Sequence, residues 1–517
     1  MMKKKYTKRE FLQLLVAAGF TLYLPACDFK SNKDNNGKDN DNNNDNTSPK
    51  NTQTKSSHEE NPEPEIPKDT RDALEKAMES NNVIYLQKQD EDYEKNRSTY
   101  NLHIQKYPAI IALCKNTEGV AEAIRLAKAK AWKVAVKSGG HSFEGFSSIN
   151  DGLQINLTLM NKMKWESDEV ISMQPACLLK DIYDEILPKQ RILPSGSCGT
   201  VGIAGLTLGG GYGFFSRKHG LTCDNLVAAT MVDGEANIHT TRSGDELMWA
   251  LRGGGNGNFG VVTELQFQTH PAPDGFTRYR FRAYKLHKER AKKLFEKYFE
   301  LSANLSETCF AAFVLNHRTL TILITNYGKK DKALDDMVAE LDNLMDDASI
   351  GSKRELAKAL RSYYGRPEPL YFKNASAGYY DDYQALLPSL DDILDVVLNT
   401  RRLIFQINTL GGNIDRPDFE QQSCYPHRAI PYLSELQAYW EKKIDPQYLF
   451  TAFEKIQSIV FQNGITRQYR NYPYLGFKNW ETAYYGEENY TKLQAIKSKY
   501  DPQDIFSNEQ TVRGKEV

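Results

Sequence analysis

Two side chains able to form covalent bonds stand in glycine-rich segments about 57 residues apart. His141 lies within Lys137–Ser142, and Cys198 lies within Ser195–Gly202. Glycine lets the backbone approach a large flat or anionic ligand closely, because it has no Cβ. An imidazole nitrogen and a thiolate are the side-chain groups best able to bond to an electrophilic ring. Together the two segments predict a cofactor that is held at two points.

The elements before His141 can be predicted from the pattern of apolar residues. Residues 107–113 are typical of a short strand, 117–131 of a helix that Thr117 can cap, and 133–136 of a second strand. This strand–helix–strand unit places His141 just past a strand end, where ligand-binding loops usually lie. The turn Lys137–Ser142 also offers successive backbone N–H groups, which suit a pyrophosphate.

A second glycine motif, Gly255–Gly260, fits the GxGxxG dinucleotide fingerprint. That fingerprint needs a strand before it and a helix after it. Here residues 245–251 are predicted to be helical and residues 261–267 alternate like a strand. The order is reversed, so we exclude a nicotinamide site of the Rossmann type.

The composition limits the number of domains and the kinds of ligand that the chain can bind. The 517 residues allow two or three domains, and the net charge of −1 gives no long-range field that favours nucleic acid. The 29 Tyr against 23 Phe fit a polar aromatic cleft, although ordinary packing explains them equally well. The seven cysteines show no metal-site spacing, and we predict no metal. A disulfide stays open among Cys114, Cys177, Cys223, Cys309 and Cys424.

The N-terminus is predicted to be a targeting segment. A basic start precedes an apolar run at 11–24, which is too short to span a bilayer as a usual helix. Leu24–Cys27 resembles a bacterial lipobox, which implies a signal peptide at 1–26 and a lipid anchor at Cys27. Thr7–Leu12 resembles a twin-arginine export signal with Lys in place of the first Arg, and general secretion stays open. Residues 27–67 are almost free of apolar side chains and are predicted to form a disordered tether.

The rest of the chain is predicted to form three parts: residues 68–272, 273–466 and 467–517. In the middle part we predict strands at 278–284, 310–315, 319–326 and 403–409. We predict helices at 288–301, 332–345 and 433–442. This mixture indicates an antiparallel sheet backed by helices, which is an α+β substrate domain. The last part is predicted to return to the first.

Four segments in order resemble the berberine bridge enzyme-like oxidases of the vanillyl-alcohol oxidase superfamily. They are Lys137–Asn161, Gly196–Asn225, Pro426–Arg428 and the tyrosine-rich stretch from Tyr469 to Gln510. The matches run from about residue 100 to 513. The resemblance implies an α+β fold with a two-part FAD-binding domain and an antiparallel-sheet substrate domain. It also implies FAD joined to His141 through its 8α-methyl group and to Cys198 through ring carbon 6.

The resemblance also implies which other residues contact FAD. They come from both glycine segments, from the strand after Gly255–Gly260 and from the C-terminal part. They are Lys137, Ser138, Gly139, Gly140, Ser142, Gly199, Thr200, Gly202, Gly205, Gly209, Gly210, Gly211, Tyr212, Gly213, Gly260, Val261, Val262, Tyr469, Asn471 and Asn508.

Catalytic residues follow from the same resemblance. Tyr472 ends a Tyr-x-Asn-Tyr motif whose last tyrosine is commonly the base, and its phenol, with an ordinary pKa of about 10, would need a lowered pKa. Asn408 takes the place of a partner that is a carboxylate in some relatives, and Gln406 shares its strand face. These two polar residues indicate either a wet cleft or an ordinary solvated face.

Val201 lies three residues after Cys198, at a position where valine accompanies rapid reaction with oxygen in relatives. We therefore expect an exported, membrane-anchored bacterial lipoprotein that oxidises an alcohol or saccharide and reduces O2 to H2O2. Two alternatives stay open: a dehydrogenase that passes electrons to a quinone or a protein, and a surface lipoprotein that binds without turnover.

Overall fold

The computed structural model describes residues 80–515. The predicted signal peptide 1–26, the tether 27–67 and the lipidation site Cys27 lie outside the described residues. Between residues 80 and 515, no helix combines the length and the apolar character that crossing a membrane requires. None of the six cysteines in this range forms a disulfide, and all except Cys198 are buried.

The N-terminal half of the described chain holds eleven strands and six helices. The strands are β1 (Val83–Leu86), β2 (Ile110–Cys114), β3 (Val134–Lys137), β4 (Leu153–Asn156), β5 (Met163–Trp165), β6 (Val170–Met173), β7 (Arg191–Ile192), β8 (Leu226–Asp233), β9 (Ile238–Arg242), β10 (Gly260–Gln268) and β11 (His270–Pro271). The helices are α1 (Tyr93–Arg97), α2 (Thr117–Ala129), α3 (Leu179–Ile186), α4 (Ile203–Leu208), α5 (Ser216–His219) and α6 (Glu246–Leu251).

The first sheet has the order β1-β2-β4-β3, in which β2, β3 and β4 run parallel. Helix α2 packs on it through a buried face that includes Val120, Ala123 and Ile124, as its 3.6-residue pattern predicts. The cap differs from the prediction: Asn116, not Thr117, accepts the hydrogen bond from the Gly119 amide. Asn116 has the extended backbone of an N-cap, whereas Thr117 already belongs to the helix. The turn with His141 follows β3 directly.

The second sheet is antiparallel, in the order β5-β6-β10-β8-β9, and a short pair joins β7 to β11. Helix α6 comes before the Gly255–Gly260 loop, and β10 begins at its last glycine. This is the order predicted from the sequence, and it confirms that the loop lacks the strand-then-helix setting of a dinucleotide fingerprint.

Eight strands after Pro273 form one large antiparallel sheet. They are β12 (Gly275–Ala283), β13 (Cys309–Asn316), β14 (Thr319–Asn326), β15 (Asp347–Ile350), β16 (Arg354–Glu355), β17 (Tyr371–Tyr380), β18 (Leu403–Thr409) and β19 (Tyr432–Trp440). Their order is β15-β12-β14-β13-β18-β19-β17, and β16 pairs with β12.

Eight helices accompany this sheet and the C-terminal segment. They are α7 (Lys288–Ser302), α8 (Lys332–Leu344), α9 (Leu356–Arg361), α10 (Leu387–Asn399), α11 (Pro417–Gln421), α12 (Gln447–Gln462), α13 (Trp480–Tyr485) and α14 (Glu487–Tyr500). Helices α7, α10 and α12 cover one sheet face and share its apolar core. Helices and antiparallel sheets together agree with the predicted α+β class.

One predicted element is wrong. Residues 433–442 were expected to be a helix, but 432–440 form strand β19 between β18 and β17. Every residue of β19 is buried, including Glu435 and Gln437. Because polar side chains occupy one buried face of the strand, the sequence lacks the clean alternation of a half-exposed strand. The strand β17 and the helices α10 and α12 were also missed.

Cross-strand register places polar residues of three strands on the uncovered face of the sheet. Gln406 is opposite Glu435, and Gln437 is opposite Asn374. Alternate residues such as Leu436 and Ala438 point into the helix-covered core. The polar face is turned toward the N-terminal half of the molecule.

Buried arginines join the two halves. Arg428 forms an ion pair of 2.6 Å with Asp224, and both side chains are 1% exposed. This pair links the N-terminal half to the part of the chain that forms the eight-stranded sheet. Arg217 donates to the carbonyls of Leu410 and Cys309 from the other direction. These buried contacts hold the two halves together and so define the cleft between them.

The C-terminal segment returns to the N-terminal half. Phe506 forms a parallel bridge with Val134 at the edge of the first sheet. Lys497 is fully buried and donates to Asp501 and to the carbonyl of Asn258. These contacts place residues near 508 beside the strand that leads to His141.

Candidate active site

A single large cavity lies between the N-terminal half and the polar face of the eight-stranded sheet. The predicted residues that line it come from both glycine segments, β10 and the C-terminal segment. They are Ser138, Gly139, Gly140, His141, Ser142, Cys198, Val201, Gly202, Gly205, Tyr212, Gly213, Gly260, Val262, Tyr469, Asn471, Tyr472 and Asn508. The fold therefore gathers most of the predicted site at one place.

His141 lies on a wall of this cavity. Its ring stacks on Tyr100 with 4.0 Å between the centroids and 19° between the planes. Its Nε2 is 3.1 Å from the hydroxyl of Thr200. Burial lowers the pKa of His141 to about 3, so the imidazole is neutral at ordinary pH and keeps a lone pair. A neutral, oriented imidazole is the state that a nucleophilic linkage needs.

Cys198 approaches the same point from the other glycine segment. The hydroxyl of Thr200 lies 3.8 Å from its Sγ, and this hydroxyl also contacts His141. The turn that holds Cys198 is closed by the Val201 amide, which donates to the Cys198 carbonyl. Thr200 thus stands between the two nucleophiles, although it does not itself line the cavity.

The two glycine segments touch through their backbones. A Cβ on Gly139 would lie 2.4 Å from the Gly202 nitrogen, and a Cβ on Gly202 would lie 2.4 Å from the Ser138 hydroxyl. Gly140 has a φ of +70°, which other residues rarely adopt. Glycine is therefore required here for the loops to meet and to bring His141 beside Cys198.

Several predicted cofactor residues lie behind the cavity wall. Lys137 donates to the carbonyls of Asn96 and Ser98, and burial lowers its pKa to about 8. Val261 packs in the core of the first sheet. The cavity is also not lined by Gly199, Gly209, Gly210 or Gly211. These residues shape the wall and do not face its contents.

The segment Tyr469–Tyr472 is tied to both halves of the molecule. The Tyr469 hydroxyl accepts from the Gly211 amide at 2.9 Å, and Asn471 donates to the Leu206 carbonyl at 2.9 Å. On the other side, the Tyr472 carbonyl accepts from the Ser376 amide of β17. The segment thus holds the Tyr472 phenol in the cleft between the halves.

A chain of hydrogen bonds leads from the sheet to Tyr472. The Tyr472 and Tyr212 hydroxyls are 2.8 Å apart. Asn408 donates its amide to Tyr212 at 3.1 Å, and Gln406 donates to Asn408 at 2.9 Å. Tyr212 therefore accepts from Asn408, and either phenol can be the donor in its hydrogen bond with Tyr472. Gln406 and Asn408 are buried, which rules out an ordinary solvated face, and they support the cavity wall from behind.

The chain extends across two more strands. Gln437 donates to Gln406 at 3.1 Å, Tyr439 donates to Gln437 at 3.2 Å, and Asn374 donates to Tyr439 at 2.9 Å. From Asn374 to Asn408, every donor points toward Tyr212. Aligned hydrogen bonds polarise one another, so the series presents a positive end to the Tyr212 oxygen.

Glu435 is the functional residue that the sequence prediction missed. It lines the cavity, is 2% exposed and lies opposite Gln406 in the sheet. Burial raises its pKa to about 8, against hydrogen bonds from Gln437 and Asn374 that lower it. The signal was present as the alternation of Leu433, Glu435, Gln437 and Tyr439, which the helix prediction for this segment hid.

Burial also acts on the phenols around Glu435. It raises the pKa values of Tyr472, Tyr212 and Tyr439 well above 10, and a negative charge on Glu435 would raise all three further. The lowered pKa expected for Tyr472 is therefore not observed in this state of the protein. The hydrogen bond between the two phenols raises the pKa of Tyr472 as well, and it lowers that of Tyr212.

The cavity fits a flavin on evidence from the chain itself. Its N-terminal wall consists of loops whose packing leaves no room for a Cβ at Gly139 and Gly202. The buried hydroxyl of Ser147 faces this wall without a hydrogen-bond partner. A neutral imidazole and a thiol stand together beside these groups. When bound, FAD would be held by His141 and Cys198.

Two family models match parts of the chain. A family model described as FAD binding domain matches residues 108–242, and one described as berberine and berberine like matches residues 468–513. The two matches contain the segments around His141, Cys198 and Tyr472.

Curated relatives match over most of their length. A chitooligosaccharide oxidase of Gibberella zeae is 26% identical, over 86% of this chain and 95% of the relative. A glucooligosaccharide oxidase of Sarocladium strictum is 27% identical, over 85% and 94%. The FAD-linked oxidoreductase YgaK of Bacillus subtilis is 26% identical, over 82% and 95%.

A solved chitooligosaccharide oxidase superimposes with a TM-score of 0.77 at 23% identity, over 86% of this chain and all of that one. This likeness confirms the predicted fold class, an FAD-binding domain of the vanillyl-alcohol oxidase type with an antiparallel-sheet domain. The chain thus contains an FAD binding domain, and over most of its length it is similar to FAD-linked oxidoreductases, berberine bridge enzyme-like proteins among them.

Proposed function

We propose that this protein is an oxidase that removes a hydride and a proton from an alcohol or saccharide and passes the electrons to O2, forming H2O2. The observation that carries the proposal is the meeting of His141, Cys198 and Tyr472 on one cavity. Two are nucleophiles suited to hold a cofactor, and the third is an acid–base group oriented toward the same space.

FAD is proposed to be attached at two points, to His141 through its 8α-methyl group and to Cys198 through ring carbon 6. The neutral imidazole and the contact of Thr200 with both side chains support this arrangement. A similar solved structure, that of a glucooligosaccharide oxidase, reveals a novel flavinylation in that protein. When bound, FAD would supply the hydride acceptor and the route for electrons to oxygen.

Tyr472 is proposed to take the hydroxyl proton. Its hydroxyl lies 2.8 Å from that of Tyr212, which is itself fixed by Asn408 and Gln406. Once Tyr472 has lost its proton, the Tyr212 hydroxyl can only donate to it, so the phenolate would be stabilised without a carboxylate at position 408. Since burial raises the pKa of Tyr472, we expect the rate to increase with pH through neutrality.

Val201 and the substrate class complete the proposal. Val201 lines the cavity beside Cys198, and its small side chain leaves an approach open for O2. The relatives named chitooligosaccharide oxidase, glucooligosaccharide oxidase and carbohydrate oxidase support a saccharide substrate for this chain. The mixed aromatic and amide lining of the sheet side, which includes Phe372, Asn374 and Tyr439, suits a sugar face.

The protein is further proposed to be exported and anchored to a membrane by lipid on Cys27. The basic start, the apolar run 11–24 and the lipobox-like Leu24–Cys27 support this location. The polar stretch 27–67 would then separate the enzyme from the membrane. Labelling of the full chain with a radioactive fatty acid, with Cys27→Ser as the control, tests the anchor.

The decisive experiment is oxygen uptake by the purified protein with a panel of alcohols and oligosaccharides. We expect peroxide in equal amount to the oxygen consumed. Reduction of an artificial quinone without oxygen uptake would favour the dehydrogenase alternative instead. A colourless protein that binds saccharides without turnover would favour the non-catalytic alternative.

A further inference from the structure

The sheet side of the cavity contains a carboxyl group with no cationic partner. Glu435 is almost fully buried, and in the part of the chain that the structure describes no lysine, arginine or histidine pairs with it. Burying an unpaired carboxylate is costly, so the Glu435 carboxyl is mostly protonated near pH 7. A cation placed beside it would favour its charged form.

A second acceptor lies beside it. Asn374 is 2% exposed and lines the cavity, and its Oδ1 has no hydrogen-bond partner. Its Nδ2 is already engaged with Tyr439 and Glu435. The Glu435 carboxyl, which accepts from Asn374 and Gln437, thus stands beside a residue whose amide oxygen is unpaired. A neutral hydroxyl donates only one hydrogen bond, whereas an ammonium group donates three and accepts none.

Aromatic rings surround these acceptors. Tyr100, Phe143, Phe372 and Tyr439 line the same end of the cavity, and Phe143 stacks on Tyr472 at 5.3 Å. Ring faces attract cations within about 6 Å, and the attraction is larger where water is excluded. Carboxyl, amide oxygen and rings form the combination of groups that recognises an organic ammonium ion.

We propose that the preferred substrate carries a protonated amine, which binds between Glu435, Asn374 and the rings while a neighbouring hydroxyl carbon is oxidised. This rests on the proposed function in that the amine-bearing molecule is the one oxidised. Gln406, on the facing strand, donates and accepts only neutral hydrogen bonds, so Glu435 supplies the one charge of the subsite.

Proton linkage follows from the same geometry. The titratable groups that face Glu435 are the phenols of Tyr212, Tyr439 and Tyr472, all of which burial keeps neutral. Because the pKa of Glu435 is about 8, its carboxyl is mostly protonated at pH 7. Pairing with an ammonium ion favours the carboxylate and releases that proton. Affinity should therefore increase from pH 6 to pH 8 and decrease once the amine itself loses its proton.

Calorimetry on the full-length holoenzyme tests the proposal with two matched pairs of probes. One pair is benzylamine and benzyl alcohol; the other is the glucosamine trimer and the glucose trimer. We expect the amine of at least one pair to bind about 10- to 100-fold more tightly than its neutral partner at pH 7.5. We also expect proton release, detected as binding heats that differ between buffers.

Glu435→Gln keeps the size of the side chain and removes its charge. It should abolish both the preference for the amine and the proton release, while the exposed Glu454→Gln should keep both. Equal affinities within both pairs, or a preference that persists in Glu435→Gln, would overturn the proposal. So would an equal decrease of kcat on amine and neutral substrates in Glu435→Gln with no change in relative affinity, which would make Glu435 only a proton acceptor.

Binding is measured without turnover, so this test stands apart from the proposed oxidase activity. A protein that binds the amine but produces no peroxide would contradict the oxidase and keep the subsite. A protein that oxidises neutral saccharides with no amine preference would support the oxidase and contradict the amine subsite.

Discussion

The two walls of the cavity are built on opposite principles. The N-terminal wall consists of glycine loops in which His141 and Cys198 stand a few residues from the turns that place them. The sheet wall consists of side chains from β17, β18 and β19, which are hydrogen-bonded in register. The N-terminal wall depends on glycines, which have no side chain, and the sheet wall depends on buried polar side chains.

This difference separates two tasks. Attachment of a cofactor needs a nucleophile and room for a flat ring, which short segments supply. Handling a proton and a substrate needs several groups at fixed distances, which only strands far apart in sequence supply. Buried polar groups are costly unless they are hydrogen-bonded. The series from Asn374 to Tyr472 satisfies most of them; the Asn374 oxygen has no hydrogen-bond partner, and Glu435 lines the cavity.

The largest effect is expected at the N-terminal wall. The double variant His141→Ala, Cys198→Ala should lose all flavin that survives acid precipitation, because no other nucleophile is placed beside Thr200. Each single variant should keep one attachment. Intact mass after acid treatment measures the added dinucleotide, and the buried Cys177→Ala serves as a control that keeps both links.

Pigment that is fully released from the wild-type protein by acid would contradict the double attachment. Pigment that is retained by the double variant would show that a third residue carries the flavin. Either result would remove the main contrast between the two walls.

The second-largest effect is expected at the place where the two walls meet. Tyr472→Phe should lower kcat by about 10²- to 10⁴-fold, the usual contribution of a positioned acid–base group, with little change in bound flavin. The exposed Tyr448→Phe on α12 is the matched control. Steady-state peroxide formation across pH 6–10 provides the measurement. A variant that keeps its full rate would transfer the role of base to another group, of which Glu435 is the first candidate.

The contrast between the walls explains which elements could be predicted from the sequence and which could not. The strand–helix–strand unit before His141, the reversed setting of Gly255–Gly260 and strands β14 and β18 were all predicted, because their signals are local. Strand β19 was predicted to be a helix, because both of its faces are buried and its polar residues lie inside the molecule. Tertiary burial overrode a pattern that normally separates strand from helix.

The same limit applies to the candidate site. Tyr472, Asn408 and Gln406 were predicted, and the structure brings them into one hydrogen-bonded series. Glu435 and Asn374 were not, since each is an isolated polar residue whose partners are set by sheet register. A donor chain that spans three strands has no counterpart in the spacing of any one segment.

A third prediction concerns the joint between the walls. Arg428→Met leaves the Asp224 carboxylate buried without its partner and should lower the free energy of unfolding by about 3–5 kcal/mol. Urea denaturation of the holoenzyme measures it. Arg416→Met removes an exposed pair with Asp418 and should change stability by no more than about 1 kcal/mol. Equal losses in the two variants would mean that the buried pair does not hold the halves together.

The smallest effect on kcat is expected from a substitution that changes only the sheet wall. Asn408→Leu removes the donor to Tyr212, and hydrogen bonds to a charged group contribute about 1.5–3 kcal/mol. A phenolate at Tyr472 should be destabilised accordingly, so kcat should decrease by about 10- to 100-fold. The rising limb of the pH–rate profile should move upward by about one to two pH units.

Asn408→Asp sharpens this test because a carboxylate has the right size but cannot donate. If the direction of the donor chain stabilises Tyr472, the aspartate variant should behave like the leucine variant, and the exposed Asn463→Asp should match the wild-type protein. If a negative charge at position 408 is what activates the phenol, Asn408→Asp should instead increase kcat and move the pH limb downward. The second result would mean that the amide series only packs the sheet wall, and that Tyr472 depends on its own position and not on the direction of the hydrogen bonds behind it.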